Sequence, residues 1–450
     1  MATNRKRVLI IGHDIVGTRM SGAGLKNWEM ATVLSDYCDV VLAAPEGTTA
    51  NSACFELYTY TVPDPHLEQI SRQSDVVLLS GSVWCQFPFL HTLEVPIVFD
   101  LWIPVMHEAR ELNAAQPLNT WHDTYQEYVR VLNEQLRRGD FFVCASERQR
   151  DYYLGLLEAN LRITPELYAQ DRTLRSLIDV VPIGLPANLP THAHQVLKGR
   201  KPGIELDDRV VLWIGGIWEW FDPLTPIRAV AQLATQQPDL KLKLVFLGGR
   251  HPNPETVPEM NRYQEAVTLS RTLQLYNRHV FFINWIPYEE RQNYLLEADL
   301  GISAHFEHLE TRYSFRTRVL DYLWSGLPMV VTEGDVISDI VQEYDLGKVV
   351  AYGDVAGWVD ALSNLLTLPD PRAAYAKQFE RVRKQYTWEH VCRPLVRFCQ
   401  SPHRAADEGL YESELERISR DKDQYIAGLE DALRRYHRTC LLYTSPSPRD

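Results

Sequence analysis

Several things are scarce in this 450-residue sequence, and each scarcity removes a class of protein. No apolar run approaches the ~18 residues that a membrane-crossing helix requires, and the basic start from Met1 to Arg7 leads straight into a strand pattern instead of a signal-peptide core. A cytoplasmic chain without a transmembrane segment is expected. Cysteine is sparse: Cys38, Cys54, Cys85, Cys144, Cys392, Cys399 and Cys440 stand singly with no CxxC pair, which argues against a zinc knuckle or a disulfide framework and for buried free thiols. Positive charge is short, with 46 Lys and Arg against 59 Asp and Glu. The net charge of -13 disfavours nucleic acid as a partner, and an anionic ligand would need a local basic pocket. A GxGxxG is also missing, because Gly12-His13-Asp14 lacks the second glycine, and this weighs against a dinucleotide-dependent dehydrogenase.

What is present reads as an ordinary globular α/β protein. Apolar residues make up 45% and charged residues 23%, and at ~150 residues per domain the length predicts two or three domains. Short β-branched runs at 7–12, 40–44, 76–80, 97–101, 141–145 and 180–182 alternate with amphipathic stretches such as 22–37, 119–138 and 147–157. Near-continuous apolar strands between helices imply a parallel sheet covered on both faces. Prolines and glycines between 183 and 203 mark a linker. A second set of strands follows at 210–214, 242–247, 280–283, 301–303 and 329–332, with helices at 226–236, 288–297, 317–325, 357–366 and 371–400.

The predicted organisation is a first doubly wound domain at 1–190, a linker at 191–204 and a second doubly wound domain at 205–400 whose last helix crosses back. A charged helix follows at 401–439. There Tyr411, Leu415, Ile418, Lys422, Tyr425, Leu429, Ala432 and Tyr436 form a heptad seam, predicting a coiled coil or a long exposed helix and self-association or partner binding through 411–436. The final string CLLYTSPSPRD, 440–450, resembles the translation of a transposon-type sequencing adapter and is set aside from the fold.

In open parallel sheets ligands bind beyond the carboxyl ends of the strands, so the loops there are the places to look. The first holds Gly22 and Gly24. The second, Gly215-Gly216-Ile217-Trp218-Glu219-Trp220, offers glycine amides to an anion beside aromatics and the Glu219 carboxylate. The third leads into a helix beginning near Thr317 and ending at Gly326-Leu327-Pro328. Arg316 and Arg318 at that helix start are cations where the dipole favours anions, which points to a bound phosphate; an Arg318 to Asp321 ion pair is the plain alternative. His305-Phe306-Glu307-His308 and His192-Ala193-His194 lack a further ligand, so no metal site is expected.

The glycine loop, the strand LKLVFLGG at 242–249 and the stretch from Ala298-Asp299-Leu300-Gly301-Ile302-Ser303 to Asp321-Tyr322-Leu323-Trp324-Ser325-Gly326-Leu327-Pro328 resemble nucleotide-sugar glycosyltransferases of the GT-B fold, closest to family 4, over about residues 7 to 400. The resemblance implies two Rossmann-like domains facing an interdomain cleft. It also implies transfer of a sugar from a nucleoside diphosphate sugar to an acceptor hydroxyl of a glycan or lipid-linked molecule, in cell-surface polysaccharide or glycan biosynthesis, with peripheral contact at the inner face of the membrane. In that family a Glu ahead of the Gly-x-Pro turn holds the ribose, and Asp321 stands there. Its Glu-x7-Glu partner would fall on Tyr313, and Glu310 is the nearest carboxylate for the donor sugar. The family's Arg and Lys pair is absent from 218–223, so Arg316 and Arg318 are expected to hold the diphosphate with Gly215 and Gly216. The first-domain His of the family corresponds roughly to Asp100, with His107 nearby, and these two are the acid/base candidates. Asp-x-Asp, which holds a metal in GT-A enzymes, occurs only as Asp421-Lys422-Asp423 in the charged helix. The implied chemistry is therefore metal-independent and needs no cofactor besides the donor itself. Two other readings compete: a GT-B sugar-nucleotide epimerase, and a non-catalytic nucleotide-sugar-binding scaffold that uses the coiled coil.

Overall fold

A computed structural model describes residues 5–18, 20–114, 116–250, 259–405, 418–419, 421–422 and 424–434. The first sheet has seven parallel strands: β1 (Arg7–Ile11), β2 (Asp39–Pro45), β3 (Glu56–Tyr60), β4 (Val76–Ser80), β5 (Ile97–Asp100), β6 (Phe141–Cys144) and β7 (Ile178–Val180), in the order β3-β2-β1-β4-β5-β6-β7. Its residues alternate between two cores. Val8 and Ile10 join one apolar cluster while Leu9 and Ile11 join another on the opposite face. Burial on both faces is why these strands read as unbroken apolar runs.

The second sheet has six parallel strands: β8 (Arg209–Ile214), β9 (Leu242–Leu247), β10 (Val280–Ile283), β11 (Leu300–Ser303), β12 (Met329–Thr332) and β13 (Gly347–Val350), in the order β10-β9-β8-β11-β12-β13. In each sheet the order reverses beside the first strand, between β1 and β4 and between β8 and β11. That reversal opens a crevice at the strand ends. The edge strands β3 and β13 were not foreseen, because exposed polar residues, Glu56 and Thr59 in β3 and Lys348 in β13, break the continuous apolar signature.

The segment joining the domains is anchored to the second one. The Glu297 carboxylate accepts the amides of Val196 at 2.8 Å, Leu197 at 2.7 Å and Lys198 at 2.8 Å. The helix expected over 371–400 is three helices: Pro371–Arg383, Trp388–Val391 and Arg393–Gln400. The break falls where Leu185 donates to the Tyr386 carbonyl and accepts from the Trp388 amide. The last helix lies on the first sheet, with Phe398 stacked on Phe141 at 4.7 Å.

Beyond 405, the described residues of 418–434 are helical and exposed, including Ile418, Tyr425 and Leu429 of the heptad seam. Tyr411, Leu415, Tyr436, Asp423 and the 440–450 string lie outside the described residues. Among the described residues no helix is long and apolar enough to cross a membrane.

Candidate active site

A cavity of about 550 Å³ lies between the two sheets at the carboxyl ends of their strands. Its second-domain wall begins where β8 ends. Gly215 has φ +90°, a conformation that side chains other than glycine rarely adopt, and the turn it makes is tied down because its amide donates to the Leu247 carbonyl at 2.8 Å. The Gly215 amide is therefore not available to an anion, contrary to expectation. Gly216 is differently placed: its carbonyl accepts Arg318 Nη2 at 2.7 Å, and among the described residues no backbone carbonyl takes its N–H. Trp218 and Trp220 follow as a parallel stack 5.3 Å apart, both on the cleft. Glu219 turns away from it. Its carboxylate accepts the Asn261 amide at 2.6 Å, at the start of the Asn261–Thr272 helix, and it does not line the cavity.

The helix Thr317–Ser325 points its start at the cleft. Arg316 is its N-cap and no side chain caps it. The two arginines expected to share one role are in different situations. Arg316 forms a bidentate pair with Glu310, at 2.5 and 2.7 Å, with Asp335 3.5 Å from its Nε. Both partners are buried, and Ser314 Oγ also donates to Glu310. Glu310 therefore sits behind the cleft wall as the counter-charge of Arg316 and does not reach the cavity. Among the described residues Arg318 has no carboxylate partner. Its guanidinium lies 4.4 Å from the Trp213 ring and 4.0 Å from the Phe221 ring, and Nη1 is buried without an acceptor. Burial pushes this guanidinium down to about 9, the mark of an uncompensated cation.

Asp321, one turn along the same helix, lines the cleft and accepts from Arg291 Nε at 3.1 Å. Arg291 is held in turn by Tyr288, whose ring lies 3.4 Å from the guanidinium, and by Trp324 at 4.5 Å. The expected Arg318 to Asp321 alternative does not form; the acid has taken a partner thirty residues earlier in the chain.

On the first-domain wall, Ser21 caps the Gly22–Ser35 helix and Gly22 faces the cavity, where an added Cβ would come 3.6 Å from Trp102. Gly24 instead packs inward. Its amide donates to Asp14 at 3.2 Å, and an added Cβ would meet the Ile15 carbonyl at 2.5 Å. Asp100 does not project into the cleft. Its Oδ1 accepts Lys26 Nζ at 2.7 Å, with the two side chains 0% and 1% exposed. His107 is also withdrawn: its ring stacks on Tyr313 at 5.1 Å, where the first domain meets the Leu309–Tyr313 turn, and burial together with Arg110 pushes it down to about 4. Neither expected acid/base group reaches the cavity.

Glu108, which sequence reasoning passed over, does. It lies in the first turn of the Val105–Asn113 helix and lines the cleft, with no hydrogen-bond donor to its carboxylate among the described residues. Burial, reinforced by Glu310 and opposed by Arg316, raises it to about 8. A signal was available in its position: it is the residue after His107, in the loop and helix that follow β5. Elsewhere, His305 Nε2 donates to the Glu333 backbone carbonyl at 2.9 Å, His192 meets Glu297 at 2.9 Å, and His194 meets Glu290 at 3.2 Å. No group of three or more His, Cys, Asp and Glu side chains suited to a metal comes together among the described residues.

Two parallel α/β domains with a cleft at their strand ends have close parallels among solved proteins. HepE from Anabaena, in complex with UDP and glucose, superposes with a TM-score of 0.59 at 13% identity, covering 88% of this chain and 100% of that one. Sucrose-phosphate synthase from Thermosynechococcus elongatus gives 0.58 at 13% identity, covering 88% and 98%. The fold is that of a GT-B glycosyltransferase. Within this GT-B chain, residues 208–368 match the family described as "Glycosyl transferases group 1". D-inositol 3-phosphate glycosyltransferase of Corynebacterium urealyticum is 26% identical over 211 residues, 47% of each chain. Its counterpart from Rhodococcus erythropolis is 24% identical over 299 residues, 66% of this chain and 62% of that protein. The GT-B chain thus spans about half to just under two thirds of the length of these curated relatives.

Proposed function

We propose that the protein transfers a glycosyl unit from a nucleoside diphosphate sugar to an acceptor hydroxyl, and that its chemistry belongs with family 4. The observation that carries this reading is Arg318: a buried guanidinium with no carboxylate partner among the described residues and an unpaired Nη1, beside the Gly216 amide and an uncapped helix start. A lone cation in that setting is costly unless an anion completes it, and a diphosphate supplies the charge.

As the anomeric C–O bond breaks, the sugar ring gains oxocarbenium character and negative charge collects on the leaving diphosphate. Stabilising that charge is the main work, and Arg318 with the helix-start amides performs it without a protein-bound metal or a further cofactor. Asp321, oriented by Arg291, accepts from the ribose hydroxyls. The acceptor is a hydroxyl of a glycan or lipid-linked molecule, consistent with a role in cell-surface polysaccharide or glycan biosynthesis and with work in the cytoplasm at the membrane's inner face. The exposed Ile418, Tyr425 and Leu429 suit self-association through the heptad segment.

Screening UDP-, GDP- and ADP-sugars for thermal stabilisation, then for transfer to glycan and lipid-linked acceptors, tests the reading. Stabilisation without transfer to any acceptor, but with conversion of the sugar itself, would support an epimerase. No response to any nucleotide would remove the donor assignment altogether.

A further inference from the structure

Glu310, the carboxylate that the family resemblance suggested for the donor sugar, is fully engaged behind the wall by Arg316. A donor in the cleft still presents several sugar hydroxyls beyond its diphosphate. The diphosphate end is marked by Arg318 and Gly216, and the ribose end by Asp321. Glu108 approaches from the other domain. It lines the same cavity as the Ser314–Arg318 turn, and its helix, Val105–Asn113, packs against the Leu309–Tyr313 helix that leads into that turn. Next to it in the chain Trp102, Ile103 and Pro104 offer no side-chain acceptor apart from the Trp102 ring face, and the other polar side chains on the first-domain wall are His13 and Ser21, the latter bonded to Asp14.

The geometry points to Glu108 as a specificity-determining residue: resting on the glycosyl-transfer reading above, we propose that its carboxyl hydrogen-bonds hydroxyls of the transferred sugar, the role the sequence had suggested for Glu310. A carboxyl group in a partly desolvated cleft, with no protein donor or acceptor of its own, satisfies a hydroxyl in either sense, and a neutral carboxylic acid both donates and accepts. Half-buried on the cavity wall, Glu108 is left to water until a polyhydroxylated ligand enters. An empty site with an unsatisfied group discriminates strongly against donors lacking the matching hydroxyl, because the mismatch leaves that group unpaired.

Calorimetry on the full chain separates this from the nucleotide assignment, using three probe pairs: UDP-glucose with UDP, GDP-mannose with GDP, and ADP-glucose with ADP. For the pair that the wild type binds, Glu108→Ala should weaken the nucleotide sugar about tenfold or more and leave the free nucleoside diphosphate within twofold. Glu108→Gln, which keeps a donor and an acceptor, should recover most of the sugar-dependent difference. Equal affinity of wild type and Glu108→Ala for the nucleotide sugar overturns the proposal, as does an equal loss for sugar and diphosphate alike. If the wild type binds none of the six probes, the glycosyl-transfer reading fails and this one with it, whereas binding of a diphosphate with no effect at Glu108 leaves the former standing and removes the latter.

Discussion

Arg316 and Arg318, two residues apart, should respond in opposite ways to losing their charge. Arg316 neutralises Glu310 through two hydrogen bonds, and both side chains are nearly inaccessible, at 4% and 0%. Removing one member of such a pair strands the other, which typically costs about 3–5 kcal/mol. Arg316→Met should therefore lower the unfolding free energy by about that amount, and Arg316→Met combined with Glu310→Leu should restore most of it. Among the described residues Arg318 is bonded only to the Gly216 carbonyl and packed against the Trp213 and Phe221 rings, with no carboxylate to neutralise it. Arg318→Met keeps the volume, discards the buried charge and gives up one hydrogen bond and two ring contacts, so stability should change by about 1 kcal/mol or less in either direction. Its nucleotide affinity should fall by about 1.5–3 kcal/mol, roughly ten- to a hundredfold, because a charge-assisted bond to the diphosphate is lost. Urea unfolding measures the first quantity and calorimetry with UDP, GDP and ADP the second. An Arg318→Met protein that loses several kcal/mol of stability yet binds nucleotide as before would refute the division of roles.

Three further outcomes are expected. Lys26→Met leaves Asp100 buried and unpaired and should cost about 3–5 kcal/mol in urea unfolding, largely recovered by adding Asp100→Leu; a cost below about 0.5 kcal/mol for the single variant would show the pair to be unimportant. Asp321→Asn keeps an acceptor but loses charge assistance, so nucleoside diphosphate affinity should decline from wild type to Asn to Ala, and equal tolerance of both would leave Asp321 merely a partner of Arg291. Glu108 is raised from 4.5 to about 8 on folding, so the folded chain keeps a proton that the unfolded chain releases between those values. Wild-type stability should therefore fall relative to Glu108→Gln as pH rises through that window, by at most about 1.4 kcal/mol per pH unit and less where cleft water screens the charge, then level off. A gap that stays constant from pH 5 to 8 would mean the carboxyl is not desolvated.

The two sheets were legible because strands buried on both faces write themselves as unbroken apolar runs; Val8 to Ile11 serve two cores at once. β3 and β13 were not, since exposed polar residues interrupt each run, Glu56 and Thr59 in the one and Lys348 in the other. At the site, sequence reasoning held that cations at a helix start need an anion. It had no means of telling which anion: for Arg316 it is Glu310, six residues back across a turn, whereas Arg318 has no carboxylate partner among the described residues. Asp100 and His107 were placed in the cleft because they follow an apolar strand. Burial of Asp100 against Lys26, 74 residues earlier, depends on helix packing that no local pattern encodes. Glu108 escaped for the converse reason, since a Glu in the first turn of a helix looks like an ordinary dipole partner until a second domain closes over it.

The meeting of Leu185 with Tyr386 and Trp388 has a mechanical consequence. The chain passes between the domains twice, once outward after β7 and once on its return, and the two passages are laced together by backbone hydrogen bonds at one point. Whatever moves one passage at that point moves the other with it. Gly184 is pressed against Trp388 at that spot, where a Cβ would come within 2.7 Å of the indole. Even a methyl group there would shim the joint and reset the resting angle of the jaws, altering how far a donor bound on one side stands from an acceptor on the other while touching neither.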